Sequence, residues 1–180
     1  MVELIVTYLM GNCENFVSLT LKSIEDYADK IIIVYDTTSK DSTLSKIQEW
    51  QNKLGDKIIR LDRPYDHNPK NKFSNSQARN FYLDYLKQHH MDSWNLVLDA
   101  DEVCDAGLKN LKAELEKLDK NKNYLISPHM EHLIYCLGRV DNYFPQGQQM
   151  HFVYNRLFNI HPELYYPNGE HPVLNTTKER

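Results

Sequence analysis

"WNLVLDADEV", residues 94–103, runs from an apolar stretch directly into three carboxylates, Asp99, Asp101 and Glu102. A run of that length and shape reads as a strand with a buried interior, whose carboxyl end emerges where solvent or a ligand can meet it. Three like charges within four positions repel one another unless water, a shared proton or a cation relieves them.

The flanking sequence places this strand in a repeating pattern. "ELIVTYLM" (3–10) is a first strand, followed by Val17, Leu21, Ile24 and Ala28 on one helical face. "KIIIVYD" (30–36) is β-branched and continuous, as in a strand covered on both faces. Asp41 can cap a helix with Leu44, Ile47 and Leu54 inward and Gly55 at its close. "KIIRL" (57–61) supplies a third strand, and the polar loop "DRPYDHNPKNK" (62–72) leads to a helix that opens with Ser74 and Gln77 at capping-box spacing and runs to about His90. "WNLVLD" is the fourth strand, and Leu108, Leu111, Leu115 and Leu118 form the stripe of a fourth helix. Strand and helix alternating four times predict βαβ units: a Rossmann-like, mostly parallel sheet with helices on both faces. Ligands of such sheets bind beyond the carboxyl ends of the strands. Asn12, Glu14, Asp36, Asp99 and Asp101 all fall at that edge.

Beyond residue 122 the alternation ends. "YLISPHMEHLIY" (124–135) and "HFVYNRLFNI" (151–160) read as strands joined by a loop rich in Gly, Gln and aromatics. The expectation is one domain over 1–180, with residues 1–122 as its ligand-binding half and 123–180 as an extension whose irregular parts contact an acceptor or partner.

A net charge of -4 excludes a nucleic-acid surface covering a whole face. No apolar run reaches the roughly 20 residues of a membrane span. "MVELIVTYLMGN" carries Glu3 and no basic start, so it reads as a strand and not as a signal peptide. Cys13, Cys104 and Cys136 are odd in number and lack C-x-x-C spacing, which suits a reducing, cytoplasmic setting and gives no zinc or disulfide framework. The sequon at Asn175 is then accidental.

Taken alone, "LVLDADEV" has three readings. It can be a solvated acidic turn. It can be a phosphatase loop of the haloacid-dehalogenase type, with Asp99 as nucleophile and Asp101 as general acid, although such a loop belongs on a first strand and 98 residues precede Asp99 here. It can also be a D-x-D pair that binds Mg²⁺ or Mn²⁺ together with a diphosphate.

Several ordered segments resemble the family-2-like glycosyltransferases of GT-A fold. "GNCENFVSLTLKSIEDYADKIIIVYDTTSKDST" is similar to the family's opening, "FSNSQARNFYLDYL" to its ARN helix and "VLDADEV" to its metal loop. "NRLFNIHPELYYPNGEHPVL" is similar to the close of one bacterial subgroup. Three departures stand out. Only Glu14 carries over from the usual pair of opening acids, "TTSKDST" lacks a glycine before its serine, and the terminal His–Glu pair is inverted as Glu170–His171. The chain resembles a compact member without C-terminal helices, of a kind found in small microbial and viral genomes.

The resemblance implies a metal-dependent enzyme that moves a sugar from a nucleotide-diphosphate donor to a hydroxyl of a glycan, lipid or protein acceptor, with inversion. It implies contacts to the nucleotide-sugar from Glu14, Asp36, Arg79 and Asp99, and Mn²⁺ or Mg²⁺ ligation by Asp99, Asp101 and His171. Glu131, Asp141 and Glu170 are alternative catalytic bases, and Glu102 is expected to hydrogen-bond locally. Arg79 can clamp a phosphate or pair with the metal-loop carboxylates. Lys70 and Lys72 form the one local basic cluster, and His129, His132 and His151 have metal-compatible chemistry without a gathering pattern. The competing expectation is a catalytically silent nucleotide-sugar-binding or assembly protein of the same fold.

Overall fold

The computed structural model describes residues 2–68, 74–119, 121–127, 134–136, 139–141, 155–168 and 174–176. In chain order, β1 (Leu4–Met10), α1 (Val17–Ile24), β2 (Lys30–Asp36), α2 (Thr43–Leu54), β3 (Ile58–Arg63), α3 (Ser74–His89) and β4 (Trp94–Asp99) make up the alternating half. They are followed by α4 (Leu111–Leu115) and the short strands β5 (Leu125–Ile126), β6 (Ile134–Cys136), β7 (Arg139–Asp141), β8 (Leu157–Asn159), β9 (Leu164–Tyr165) and β10 (Asn175–Thr176).

Six strands form the central sheet in the order β3-β2-β1-β4-β8-β5. β3, β2, β1 and β4 are parallel, while β8 runs antiparallel to both β4 and β5. The chain winds outward from β1 to β3 and then crosses back to place β4 on the other side of β1. That reversal makes the crevice beyond β1 and β4 the switch point at which open α/β sheets bind ligands. The register pairs Leu9 with Asp99, Met10 with Tyr35 and Asp36 with Arg63, so the strand ends carrying the acids lie on one edge.

Alternation along each strand feeds two cores. Leu4, Val6, Tyr8, Ile31, Ile33, Leu96 and Leu98 pack beneath Val17, Leu21 and Ile24 of α1, with Ile47 and Trp50 of α2. On the opposite face Ile5, Ile32, Val34 and Val97 pack with Tyr82, Leu83 and Leu86 of α3, joined by Phe158, Ile160 and Leu164. Each fully buried aliphatic side chain stabilises the fold by about 1.5–3 kcal/mol relative to exposure, so both faces of the parallel strands must be apolar.

Three elements differ from the sequence expectation. α1 ends at Ile24, although Ala28 remains buried beyond it. The leucine stripe at 108–118 is divided into a 3-10 turn at Ala106–Asn110 and the single helical turn of α4. The stripe's alternating three- and four-residue steps suit an unbroken helix, and the 3-10 turn is instead started locally by Asp105, whose Oδ1 accepts the Gly107 N–H at 2.7 Å. The stretch expected as one strand over 124–135 contributes β5 to the central sheet and β6 to a separate hairpin with β7, while residues 128–133 lie outside the described set.

Candidate active site

The loops after β1 and β2 are stitched together backbone to side chain. Gly11 permits the close approach, because a Cβ there would lie 2.7 Å from the Cβ of Asp36. Asn12, in a left-handed conformation at φ 49°, donates its N–H to Ser39 Oγ at 3.1 Å and accepts the Lys40 N–H on Oδ1 at 2.9 Å. The Cys13 N–H reaches Thr43 Oγ1 at 2.8 Å, and the Glu14 N–H reaches Asp41 Oδ2 at 2.9 Å. Glu14 Oε2 in turn accepts the Ser42 N–H at 2.9 Å, so its charge sits at the amino end of α2, where backbone donors and the helix dipole favour it. Asp41 Oδ1 takes the Thr43 N–H at 3.0 Å, which serves the same helix start.

Asp36 closes β2 and is buried, yet it is surrounded by donors. Its Oδ1 accepts from the Thr38 N–H at 2.9 Å, the Thr38 hydroxyl at 2.7 Å and the Tyr65 N–H at 3.0 Å. His67 Nε2 lies 2.7 Å from Oδ2. Burial alone would raise its pKa, but the bonds from Thr38, Tyr65 and His67 outweigh burial and hold the carboxyl below the usual range. The loop after β3 is thereby drawn down onto the end of β2.

Asp99 closes β4 between two guanidiniums. Arg79 of α3 reaches Oδ1 at 3.1 Å, and Arg156, just before β8, reaches Oδ2 at 2.9 Å. Arg156 also contacts Glu102 Oε1 at 2.9 Å, while Glu102 Oε2 accepts the Asp99 N–H at 2.7 Å. Burial pushes the Asp99 carboxyl up, but Arg156 and Arg79 pull it further down, and its pKa is lowered overall. Glu102 moves the other way, raised first by burial and then by Asp99 and Asp101 against the opposing pull of Arg156. The Glu102 backbone is fixed as well: its carbonyl accepts the Thr20 hydroxyl at 2.6 Å, and the Cys104 N–H bonds Ser23 Oγ at 3.1 Å. Helix α1 therefore holds the acidic loop from beneath.

Asp101 is the exposed member of the trio, with no hydrogen bond or ion pair among the described residues. Oxygen ligands suit Mg²⁺ or Mn²⁺, and such ions need only one or two protein carboxylates when substrate phosphates and water complete the shell. The edge fits that demand, with Asp101 open and Asp99 beside it. Among the described residues no group of three or more His, Cys, Asp or Glu could hold a metal by itself.

Glu14, Asp36, Arg79, Asp99 and Asp101 thus all lie on the carboxyl edge of the sheet or on the elements that bound it. Glu131, Glu170 and His171 lie outside the described residues, as do Lys70, Lys72, His129, His132 and His151. Asp141 ends β7, and only its backbone is described. Arg156 and His67 were not anticipated as site residues. Arg156 had a usable signal in "VYNRLFNI", since a guanidinium within an apolar strand needs a carboxylate partner. His67 had none, because an isolated loop histidine carries no periodicity.

A mainly parallel sheet with acids gathered across its switch point, one of them held by two arginines, is an open α/β domain whose carboxyl edge is built as a ligand-binding edge. The sequence profile of Glycosyl transferase family 2 matches residues 4–160, and the chain belongs to that family; its architecture is the GT-A fold. One similar solved structure is the mannosyltransferase PcManGT from Pyrobaculum calidifontis in complex with GDP-Man and Mn2+, at 19% identity and a TM-score of 0.46, over 58% of this chain and 29% of that one. The chain therefore corresponds to under a third of that protein's length. No curated protein matches it. Among the described residues no helix is long and apolar enough to cross a membrane.

Proposed function

We propose that this protein is a metal-dependent glycosyltransferase that takes a sugar from a nucleotide-diphosphate donor to an acceptor hydroxyl with inversion at the anomeric carbon. The observation that carries the reading is the placement of Asp36 and the Asp99–Asp101 pair on the two sides of the β1/β4 crevice, in a family 2 chain. The nucleoside lies toward β2 and Asp36, and the diphosphate lies toward Asp101. Arg79 and Arg156 keep Asp99 ionised and oriented, and Glu14 holds the loops that shape the crevice. Asp101 and Asp99, with His171, would hold Mn²⁺ or Mg²⁺, which supplies neutralisation of the charge gathering on the departing nucleoside diphosphate. In the transfer an acceptor oxygen forms the new bond to the anomeric carbon as the bond to the diphosphate breaks. The acceptor proton passes to a carboxylate on the opposite face, for which Glu131, Asp141 and Glu170 are the candidates. Residues 123–180 form the acceptor side, and the acceptor is a glycan, lipid or protein hydroxyl.

A second reading, a silent nucleotide-sugar-binding protein, draws support from one observation: both oxygens of Asp99 are already occupied by arginines. The family match replaces the phosphatase reading, and Asp99 held in that way is a poor nucleophile. Turnover separates the two that remain. The enzyme should release nucleoside diphosphate from UDP- or GDP-sugars only with Mn²⁺ or Mg²⁺, and Asp101→Ala should lower that rate by about 100-fold or more, the scale of a lost electrostatic stabiliser. Donor binding without turnover, across a panel of acceptors, would establish the silent protein instead.

A further inference from the structure

The hydrogen bonds around Asp36 determine which nitrogen of His67 carries its proton. Nε2 lies 2.7 Å from Asp36 Oδ2 and 3.0 Å from Thr38 Oγ1. The Thr38 hydroxyl has a single hydrogen, and it is directed to Asp36 Oδ1 at 2.7 Å. Both neighbours of Nε2 are therefore acceptors, so Nε2 is the N–H nitrogen. In the neutral ring Nδ1 is then a bare acceptor.

That nitrogen sits on the far side of the imidazole from Asp36. The side chain is 57% exposed, and no partner for Nδ1 occurs among the described residues. The ring is held from a second direction by Tyr65, whose ring centre is 5.0 Å away at an interplanar angle of 58°. The carboxylate itself has little capacity left. Oδ1 receives three donors and Oδ2 one, which leaves a single open lone pair on Asp36. A ligand arriving at this end of the crevice meets His67 Nδ1 as an oriented acceptor, while the carboxylate stands behind it.

We propose that His67, oriented by Asp36 and Thr38, is a nucleotide-specificity residue whose Nδ1 accepts a hydrogen bond from the ring N–H of a uracil, thymine or guanine base. The inference rests on the nucleotide-sugar reading above and adds to it the base class. Cytosine and adenine nucleotides have no ring N–H to offer on their pairing edge and are disfavoured. A site built to pair with an N–H rejects an analogue that lacks it, because the acceptor is left without a partner.

The test is calorimetric binding of UDP, GDP, CDP and ADP, with N3-methyl-UDP and N1-methyl-GDP, all with Mn²⁺. All titrations are run in one and the same mildly alkaline buffer. The wild-type protein should bind UDP or GDP at least about tenfold more tightly than the methylated form, equivalent to about 1.4 kcal/mol. His67→Phe should bind parent and methylated nucleotide alike, and His67→Gln, which keeps a carbonyl acceptor, should retain part of the preference. An exposed position tolerates both changes, and their melting temperatures check that they fold. Discrimination unchanged in His67→Phe would overturn the inference and leave the nucleotide site standing. So would a wild-type preference for CDP or ADP, or tighter binding of every nucleotide to His67→Phe, which would make the ring an obstruction. Failure of the wild type to bind any nucleotide would overturn the site reading and this inference with it.

Discussion

Asp36 and Asp99 show two ways of keeping a carboxylate charged at the edge of a buried sheet. Asp99 is neutralised by arginines from α3 and from the residue preceding β8, whereas Asp36 relies on neutral donors and one histidine. Because Asp36 is buried and its folded pKa is depressed, its contribution to stability has a definite sign. Above the unfolded value of about 3.9 the contribution is complete, and it is lost as the pH falls from there through the folded value. Asp36→Asn should cost about 1–3 kcal/mol near neutral pH, the scale of hydrogen bonds to a charged group. The deficit should shrink as the pH is lowered below about 4. Urea unfolding of both proteins at about pH 7 and about pH 3 checks this, and a gap that stays constant would show that the charge is irrelevant. Of these residues, Asp36 and Asp99 were legible as strand-end acids. Their partners His67 and Arg156 were not, because pairing across 31 or 57 positions leaves no trace in local spacing.

At the scale of elements, α1 links the core to the acidic loop through one hydroxyl. The Glu102 carbonyl can only accept, so it takes the single hydroxyl hydrogen of Thr20 at 2.6 Å, and the Tyr8 hydroxyl 3.0 Å away donates to Thr20. Thr20→Val keeps the shape and removes both bonds, leaving buried polar groups without partners. It should cost about 1–3 kcal/mol in denaturant unfolding, with recovery in Thr20→Ser. A cost below about 0.5 kcal/mol would mean that the loop is held by Glu102 and Ser23 alone. The parallel strands were readable because burial on both faces imposes continuous β-branched runs. The split helix at 106–115 was not, since its leucine stripe has the spacing of an unbroken helix and nothing in that periodicity marks the 3-10 turn.

Across the whole molecule, donor and cation are expected to share one crevice, which couples their binding energies reciprocally. A UDP- or GDP-sugar at a hundredfold excess over its dissociation constant should stabilise the fold by about 2.7 kcal/mol, raising the melting temperature by about 5–10 °C. Adding Mn²⁺ should raise it by more than the two separate shifts combined, and EDTA should abolish the excess. Strictly additive shifts would place the two ligands in independent sites. The periodicity of the sequence by itself determined the βαβ order, the parallel sheet and the edge to which Glu14, Asp36, Asp99 and Asp101 belong, because those features follow from burial one residue at a time. Only the tertiary structure decided that β8 docks antiparallel on β4 and delivers Arg156 to Asp99. The same holds for the loop after β3, which folds back to set His67 on Asp36. Both depend on which distant segment lies alongside a strand, and that is settled by packing in three dimensions and not by local pattern.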